Sequence, residues 1–455
     1  MIKGTDIIVV PEKIHQYSRD GWNLLYDPVN VHWIRLNNDG IKIIKIIEKH
    51  KSIDKITANL AEEYPDKPVE EIGKVVRAFV ENLVSIGFLH LNEYKKREFN
   101  FTLREIPYEI YLFVTYHCNL KCAHCYDIHD RNASLKESGE GMPDLTLEEY
   151  KELVQEAKQL GVQKIILTGG EPLLNPITLE LGSYIYELGL DTELITNGIL
   201  VDTSNAGAIA GSFKTITVSL DSINKESQEK MRGKGTFEKV LESIKILKKH
   251  DAYIRVNSVI TKANVNQILD TWIAAYDRLK CDTYTPTLYN PYSGDPEIFN
   301  RFMPDMEGLL KEQQRIRDHF KDKPGIAFSP ANIRCNCGIG SNNVSVSPQG
   351  FVFPCHTLHK PELQCGNVRE QPLRQILKES KGLHELRRFD VNDVEICRDC
   401  DFKYLCAGGC AAINYNLFGD FYVKDKSYCD YIKQEQIERM WTSTTQNING
   451  QAEQS

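Results

Sequence analysis

Thirteen cysteines in a 455-residue chain, gathered into two groups, restrict what this sequence can build more than any other feature. Three stand between 118 and 125, nine between 335 and 429, and Cys281 stands apart. The first residues, Met1 to Pro11, hold a short apolar run (Ile7, Ile8, Val9, Val10) but lack the charged start, long apolar core and small-residue cleavage site of a secretory signal. A chain expected to stay in the reducing cytoplasm uses cysteine for metal ligation or catalysis rather than for disulfides. No apolar stretch approaches the ~18 residues of a membrane span, so no membrane partner is expected. A formal net charge of −8 leaves no basic field to hold nucleic acid.

The apolar run Ile110 to Val114 leads into Tyr116-His117-Cys118-Asn119-Leu120-Lys121-Cys122-Ala123-His124-Cys125-Tyr126. Cys118-x3-Cys122-x2-Cys125 puts three thiolates on one loop at the end of a strand. Thiolates are the usual ligands of iron–sulfur clusters, and three of them on a four-iron cube leave one iron open for chemistry. A zinc site with His117 or His124 as fourth ligand is the plainer alternative.

Around that loop the chain divides by pattern. Residues 1–93 read as a small domain. Asp20 to Leu36 alternates around Asp27-Pro28 as a β-hairpin does, and three helices follow. The first carries Ile43, Ile44, Ile46 and Ile47. The second is capped by Ser52 and carries Ile53, Ile56 and Leu60. The third carries Ile72, Val75, Val76, Phe79, Val80 and Leu83 and ends near Gly87. With a closing strand at Phe88 to Leu91, the order is that of a winged helix. Residues 94–107 read as a linker. From 108 to 320 strand and helix alternate. Ile110 to Val114, Ile165 to Leu167, Glu193 to Thr196, Ile216 to Leu220 and Ile254 to Ile260 are β-prone runs, mostly apolar throughout, as parallel strands covered on both faces are. Thr146-Leu147-Glu148-Glu149 is a capping box ahead of a helix burying Tyr150, Leu153, Val154 and Ala157. Further helices are expected near 237–249 and 267–279. The fold class is α/β, a partial (β/α)6 barrel with its ligand site at the C-terminal ends of the strands. Residues 330–440 form a cysteine-rich region, and the polar stretch 441–455 reads as a disordered tail.

The Cys-x3-Cys-x2-Cys loop after a first barrel strand resembles the signature of the radical S-adenosylmethionine (SAM) superfamily. Later segments agree in order: Thr168-Gly169-Gly170-Glu171-Pro172, Thr196-Asn197-Gly198 and Ser219-Leu220-Asp221-Ser222. The resemblance implies a [4Fe–4S] cluster on Cys118, Cys122 and Cys125 whose open iron binds SAM, reductive cleavage to a 5′-deoxyadenosyl radical, and an electron donor such as flavodoxin or ferredoxin. It implies SAM contacts from Gly169, Gly170, Glu171, Asn197, Ser219 and Asp221. The glycines would let the backbone approach the ligand, and Glu171 would accept from the methionine ammonium. Arg232 reads either as a partner of the SAM carboxylate or as a solvated surface residue.

The second group, Cys337-x12-Gly350-x4-Cys355, Cys397-x2-Cys400-x5-Cys406-x3-Cys410 and Cys429, resembles the SPASM extension. That resemblance implies two auxiliary [4Fe–4S] clusters, the first on Cys337, Cys355 and Cys410 and the second on Cys397, Cys400, Cys406 and Cys429. Cys335 is either a fourth ligand of the first or dispensable, its site then open to a substrate thiol. Cys365 and Cys281 read as packing residues. Residues 20–91 are similar to the PqqD chaperone of pyrroloquinoline quinone biosynthesis, the element that binds leader peptides by strand addition. With 12 basic and 14 acidic side chains, residues 1–93 do not suit DNA. Together these resemblances imply a radical SAM oxidoreductase that modifies a ribosomally made precursor peptide, with a cysteine thioether cross-link the expected product. Alternatives are carbon–carbon cross-linking, oxidative decarboxylation or formylglycine formation. A non-enzyme alternative is a zinc-binding winged-helix regulator. No catalytic acid or base can be named.

Overall fold

The computed structural model of the chain describes residues 2–3, 6–101, 103–125, 142–291, 295–322 and 330–442. Tyr126 and the tail from 443 lie outside the described residues.

The N-terminal domain runs β1 (Ile8–Val9), β2 (His15–Arg19), β3 (Trp22–Asp27), β4 (His32–Asn37), α1 (Asn38–His50), α2 (Ile53–Glu63), α3 (Val69–Ser85) and β5 (His90–Leu91). The expected hairpin is β3–β4, and β2 adds a third antiparallel strand. Side-chain oxygens of Asn37 and Ser52 cap α1 and α2 by accepting from Gly40 and Lys55 N–H. The pleat sends Leu25 and Ile34, a cross-strand pair, into the helical core with Ile47, Ile56, Val76 and Val80. It sends Leu24, Tyr26 and Trp33 to the other face.

The barrel runs β6 (Glu109–Thr115), α4 (Leu147–Leu160), β7 (Lys164–Gly169), α5 (Thr178–Glu187), β8 (Asp191–Thr196), α6 (Ala206–Ser212), β9 (Thr215–Ser219), α7 (Lys225–Arg232), α8 (Thr236–Lys248), β10 (Ile254–Ile260), α9 (Ile268–Ile273) and β11 (Thr283–Leu288). The α4 capping box and its four buried residues form as the periodicity predicts. β6 to β11 pair in parallel and in sequence order without closing into a ring. β11 has no counterpart in the sequence reading. Its Thr283-Tyr284-Thr285-Pro286-Thr287-Leu288 buries only Tyr284, because an edge strand of an open barrel needs one covered face.

Helices α10 (Pro296–Phe302) and α11 (Met306–His319) follow, then β12 (Asn343–Val346), β13 (Phe351–Phe353) and β14 (Gly366–Asn367). β12 pairs in parallel with β6, so the cysteine-rich region continues the barrel sheet, nine strands in all, as β6-β12-β13-β14. It ends with α12 (Leu373–Glu379), α13 (Lys381–Arg387), α14 (Lys403–Cys406), α15 (Ala411–Phe418) and α16 (Cys429–Thr442).

Two expected boundaries are corrected. The N-terminal domain does not stand separately: the outer face of its sheet packs on Phe402, Leu405, Ile437, Met440 and Trp441. Trp441, expected to open a disordered tail, is buried near the end of α16. Polar bonds reinforce the seat. The buried Glu438 carboxylate accepts from Arg19 at 2.7 and 2.8 Å and from Arg317 of α11 at 2.7 Å, joining all three regions. Tyr26 donates to the Asp401 carbonyl, and Lys13 and His15 reach its carboxylate. Residues 94–107 are strapped down as well, with Tyr94 donating to Asp27 and the Phe99 ring packed at a tilt 4.4 Å from that of Tyr404.

Met440 is fully buried in this junction. Met440→Ala is expected to cost about 2–5 kcal/mol, lowering the melting temperature and raising hydrogen exchange in β3 and β4. An unchanged melt would mean that the junction adds nothing to stability.

Candidate active site

The three-cysteine loop leaves the C-terminal end of β6. What holds it is the Gly169-Gly170-Glu171 segment at the end of β7. Gly170 N–H donates to the Thr115 carbonyl at 2.9 Å and Glu171 N–H to His117 at 2.8 Å. A Cβ on Gly169, whose φ is +149°, would overlap the Thr115 carbonyl oxygen, and one on Gly170 would overlap that of His117. These glycines are required by a close approach to the loop's own backbone.

Glu171 is fully buried. Its carboxylate accepts from Asn197 N–H at 2.7 Å, the Thr196 hydroxyl at 2.8 Å and Leu173 N–H at 3.1 Å, while burial pushes the carboxyl up to about 7. It ties the ends of β7 and β8 together, so three of its acceptor positions are already taken by the chain. Asn197 reaches the loop directly, donating to Asn119 at 2.8 Å and standing 3.9 Å from the Cys118 sulfur.

Asp221 and Arg232 are both buried and form a two-pronged pair, Nε to Oδ2 at 2.7 Å and Nη2 to Oδ1 at 2.9 Å. Val259 N–H also donates to Asp221. Arg232 is not the solvated surface residue of one alternative: it is buried and paired with Asp221. Although burial opposes its charge, Asp221 and then Cys122 hold the guanidinium protonated. The loop docks beside this pair through Ala123 N–H to the Met231 carbonyl at 2.8 Å. Buried His124 lies 3.6 Å from Asp221, and burial lowers it to about 4. Ser219 ends β9, beside Asn257 of β10. Cys118 and Cys122 are raised by burial, so as free thiols they stay neutral until a cationic centre makes the thiolate favourable.

Within the second group the thiols influence one another unevenly. Burial, then the neighbouring Cys337 and Cys355, push the Cys410 thiol up to about 12. Cys397, pushed to about 11, feels Cys406, Cys400 and Cys429. Cys335 feels Asp390 and none of these thiols. Among the described residues no three Cys, His, Asp or Glu side chains close to single-ion distance. The thiols are gathered by the backbone, in numbers and chemistry that fit iron–sulfur ligation. Cys281 and Cys365 are buried packing residues.

Inside the barrel lies a polar layer the sequence reading missed. Glu193 accepts from Arg255 at 2.8 Å and also from Lys164 and Thr217. Tyr111 of β6 stacks on His356, 4.2 Å away and next to Cys355. The signal was present in β10, where Arg255, Asn257 and Val259 alternate with residues of the apolar core. His359 bridges Tyr116, at the start of the loop, to Ser345 of β12.

Comparison with known proteins follows the same division. Residues 112–269 match the radical SAM superfamily, residues 335–401 the SPASM iron–sulfur cluster-binding domain and residues 23–89 the coenzyme PQQ synthesis protein D family. An AdoMet-dependent heme synthase of Methanosarcina barkeri is 31% identical over 340 residues, 69% of this chain and 93% of that protein. The antilisterial bacteriocin subtilosin biosynthesis protein AlbA of Bacillus subtilis is 28% identical over 348 residues, 71% of each. The solved structure of Streptococcus suis SuiB bound to precursor peptide SuiA shares the fold, with a TM-score of 0.58 at 17% identity over 92% of this chain and 99% of that one.

Gly170→Ala should displace the loop and remove nearly all SAM cleavage and one cluster's iron. Gly211→Ala, on α6 with nothing within 4 Å, should change stability by no more than about 1 kcal/mol. Iron content and 5′-deoxyadenosine formation check both, and a Gly170→Ala enzyme that cleaves SAM normally would contradict the clamp.

Proposed function

The chain belongs to the radical SAM superfamily, in the branch that carries a SPASM extension, and on that premise we propose that it joins a cysteine sulfur to a carbon within a ribosomally made precursor peptide. The observation that carries this reading is the PqqD-like domain, seated against the cysteine-rich region with β4 at the edge of its sheet. An edge strand offers unpaired backbone groups to which a leader peptide adds as a further strand. AlbA and the precursor-bound SuiB structure lend support from relatives. The zinc-regulator alternative loses its basis in this family.

Cys118, Cys122 and Cys125 are the ligands proposed for the SAM-binding cluster. Cys337, Cys355 and Cys410 are proposed for the first auxiliary cluster, and Cys397, Cys400, Cys406 and Cys429 for the second. When bound, these clusters supply the electron that cleaves SAM to a 5′-deoxyadenosyl radical and a sink for the electron released as product forms. The chain's own part is positional. Gly169, Gly170 and Glu171 fix the loop against β7 and β8, Asn197 orients Asn119 beside Cys118, and Asp221 holds the Arg232 guanidinium in place beside the loop. One thioether removes two hydrogens from the peptide. One leaves as an atom to the radical. The other leaves the thiol as a proton, with one electron passing to the sink.

A second reading, radical chemistry on a tetrapyrrole, draws on the heme synthase relative. Joint replacement of Cys118, Cys122 and Cys125 by Ala should abolish 5′-deoxyadenosine formation while auxiliary iron remains. Cys335→Ala should leave iron and turnover nearly intact. With the parent enzyme, the peptide should become lighter by two hydrogens per bond, with one cysteine no longer alkylatable. Peptide cysteines that all stay alkylatable would rule out the thioether, and a peptide of unchanged mass would favour the tetrapyrrole.

A further inference from the structure

Lys424 stands beside Cys406, one of the four thiols proposed for the second auxiliary cluster. Its Nζ is 3.7 Å from the Cys406 sulfur and donates to the Gly408 carbonyl at 2.7 Å. Gly408 and Gly409, at φ of 74° and 80°, turn the loop beneath the ammonium, and a Cβ on Gly409 would lie 3.0 Å from Nζ. The neighbouring Asp425 is spent on Ser427. Among the described residues, Lys424's near polar partners are thus a carbonyl and a thiol.

We propose that Lys424 tunes the reduction potential of the cluster on Cys397, Cys400, Cys406 and Cys429, making it more easily reduced than it would be without that charge. This rests on the ligand assignment proposed above. Reduction adds one negative charge to a cluster, and a fixed cation a few ångströms away in a partly buried site stabilises the reduced form. Lys424 touches no substrate and acts only through the cluster.

The test uses the full-length chain with Cys118, Cys122 and Cys125 replaced by Ala, reconstituted anaerobically, and follows each auxiliary cluster by EPR during a potentiometric titration. Lys424→Met should lower the reduced-to-oxidised ratio of one cluster about tenfold at the parent's midpoint, a shift of about 59 mV for one electron. The other cluster should not move. Lys424→Arg, which keeps the charge, should restore the parent midpoint. The signal that moves should be the one missing from Cys400→Ala. Unchanged midpoints in Lys424→Met would overturn the proposal. So would a Lys424→Arg protein that shifts as Lys424→Met does, or loss of the cluster in both, since the residue would then be a structural clasp. Full iron in Cys400→Ala would instead strike the ligand assignment.

Discussion

Strand β6 is hydrogen-bonded along both edges, to β7 of the barrel on one side and to β12 of the cysteine-rich region on the other. Its C-terminal end runs into the three-cysteine loop, and its inward-facing Tyr111 stacks on the residue after Cys355. One strand therefore fixes the distance between the loop and the Cys355 segment, and neither can shift without breaking a continuous sheet. The glycine pair on β7 makes the same connection from the other side, closing its backbone on Thr115 and His117 more tightly than any side chain would permit.

The regions are joined by buried charge as well as by apolar surface. Glu438 is shared by Arg19 and Arg317, and Asp221 is gripped by Arg232. Such pairs add little net stability over apolar packing, but removing one partner leaves an uncompensated charge, at a cost of about 3–5 kcal/mol. They act as register pins. Glu438 sets where the N-terminal sheet sits, and Asp401, next to Cys400, carries the contacts of Lys13 and His15. The PqqD-like domain and the distal cysteines are thus parts of one seat.

Much of this was legible in sequence, because local rules govern it. The capping box at Thr146 and the apolar barrel runs follow from period and spacing, while the division of seven cysteines into two sets came from a resemblance to the SPASM extension. What failed depends on contacts between distant segments. Leu24, Tyr26 and Trp33 alternate as any half-buried strand does, and nothing local says that the second face is covered by α16. Trp441 precedes a polar stretch and so read as tail. Gly169 and Gly170 also close on Thr115–His117, some fifty residues earlier, a contact the local sequence does not announce. Arg232 and Asp221, eleven residues apart, meet only because α7 folds back over β9. β11 was missed because an edge strand with one covered face lacks the apolar run that marks its neighbours.

The most direct test of the central claim is the fate of hydrogen. The precursor peptide, deuterated at its side-chain carbons, would be turned over anaerobically with SAM and reductant, and the 5′-deoxyadenosine examined by mass spectrometry. Deuterium in the 5′-deoxyadenosine, in proportion to modified peptide, is the result this account predicts. SAM cleaved with no deuterium transferred, beside a peptide of unchanged mass, would contradict it.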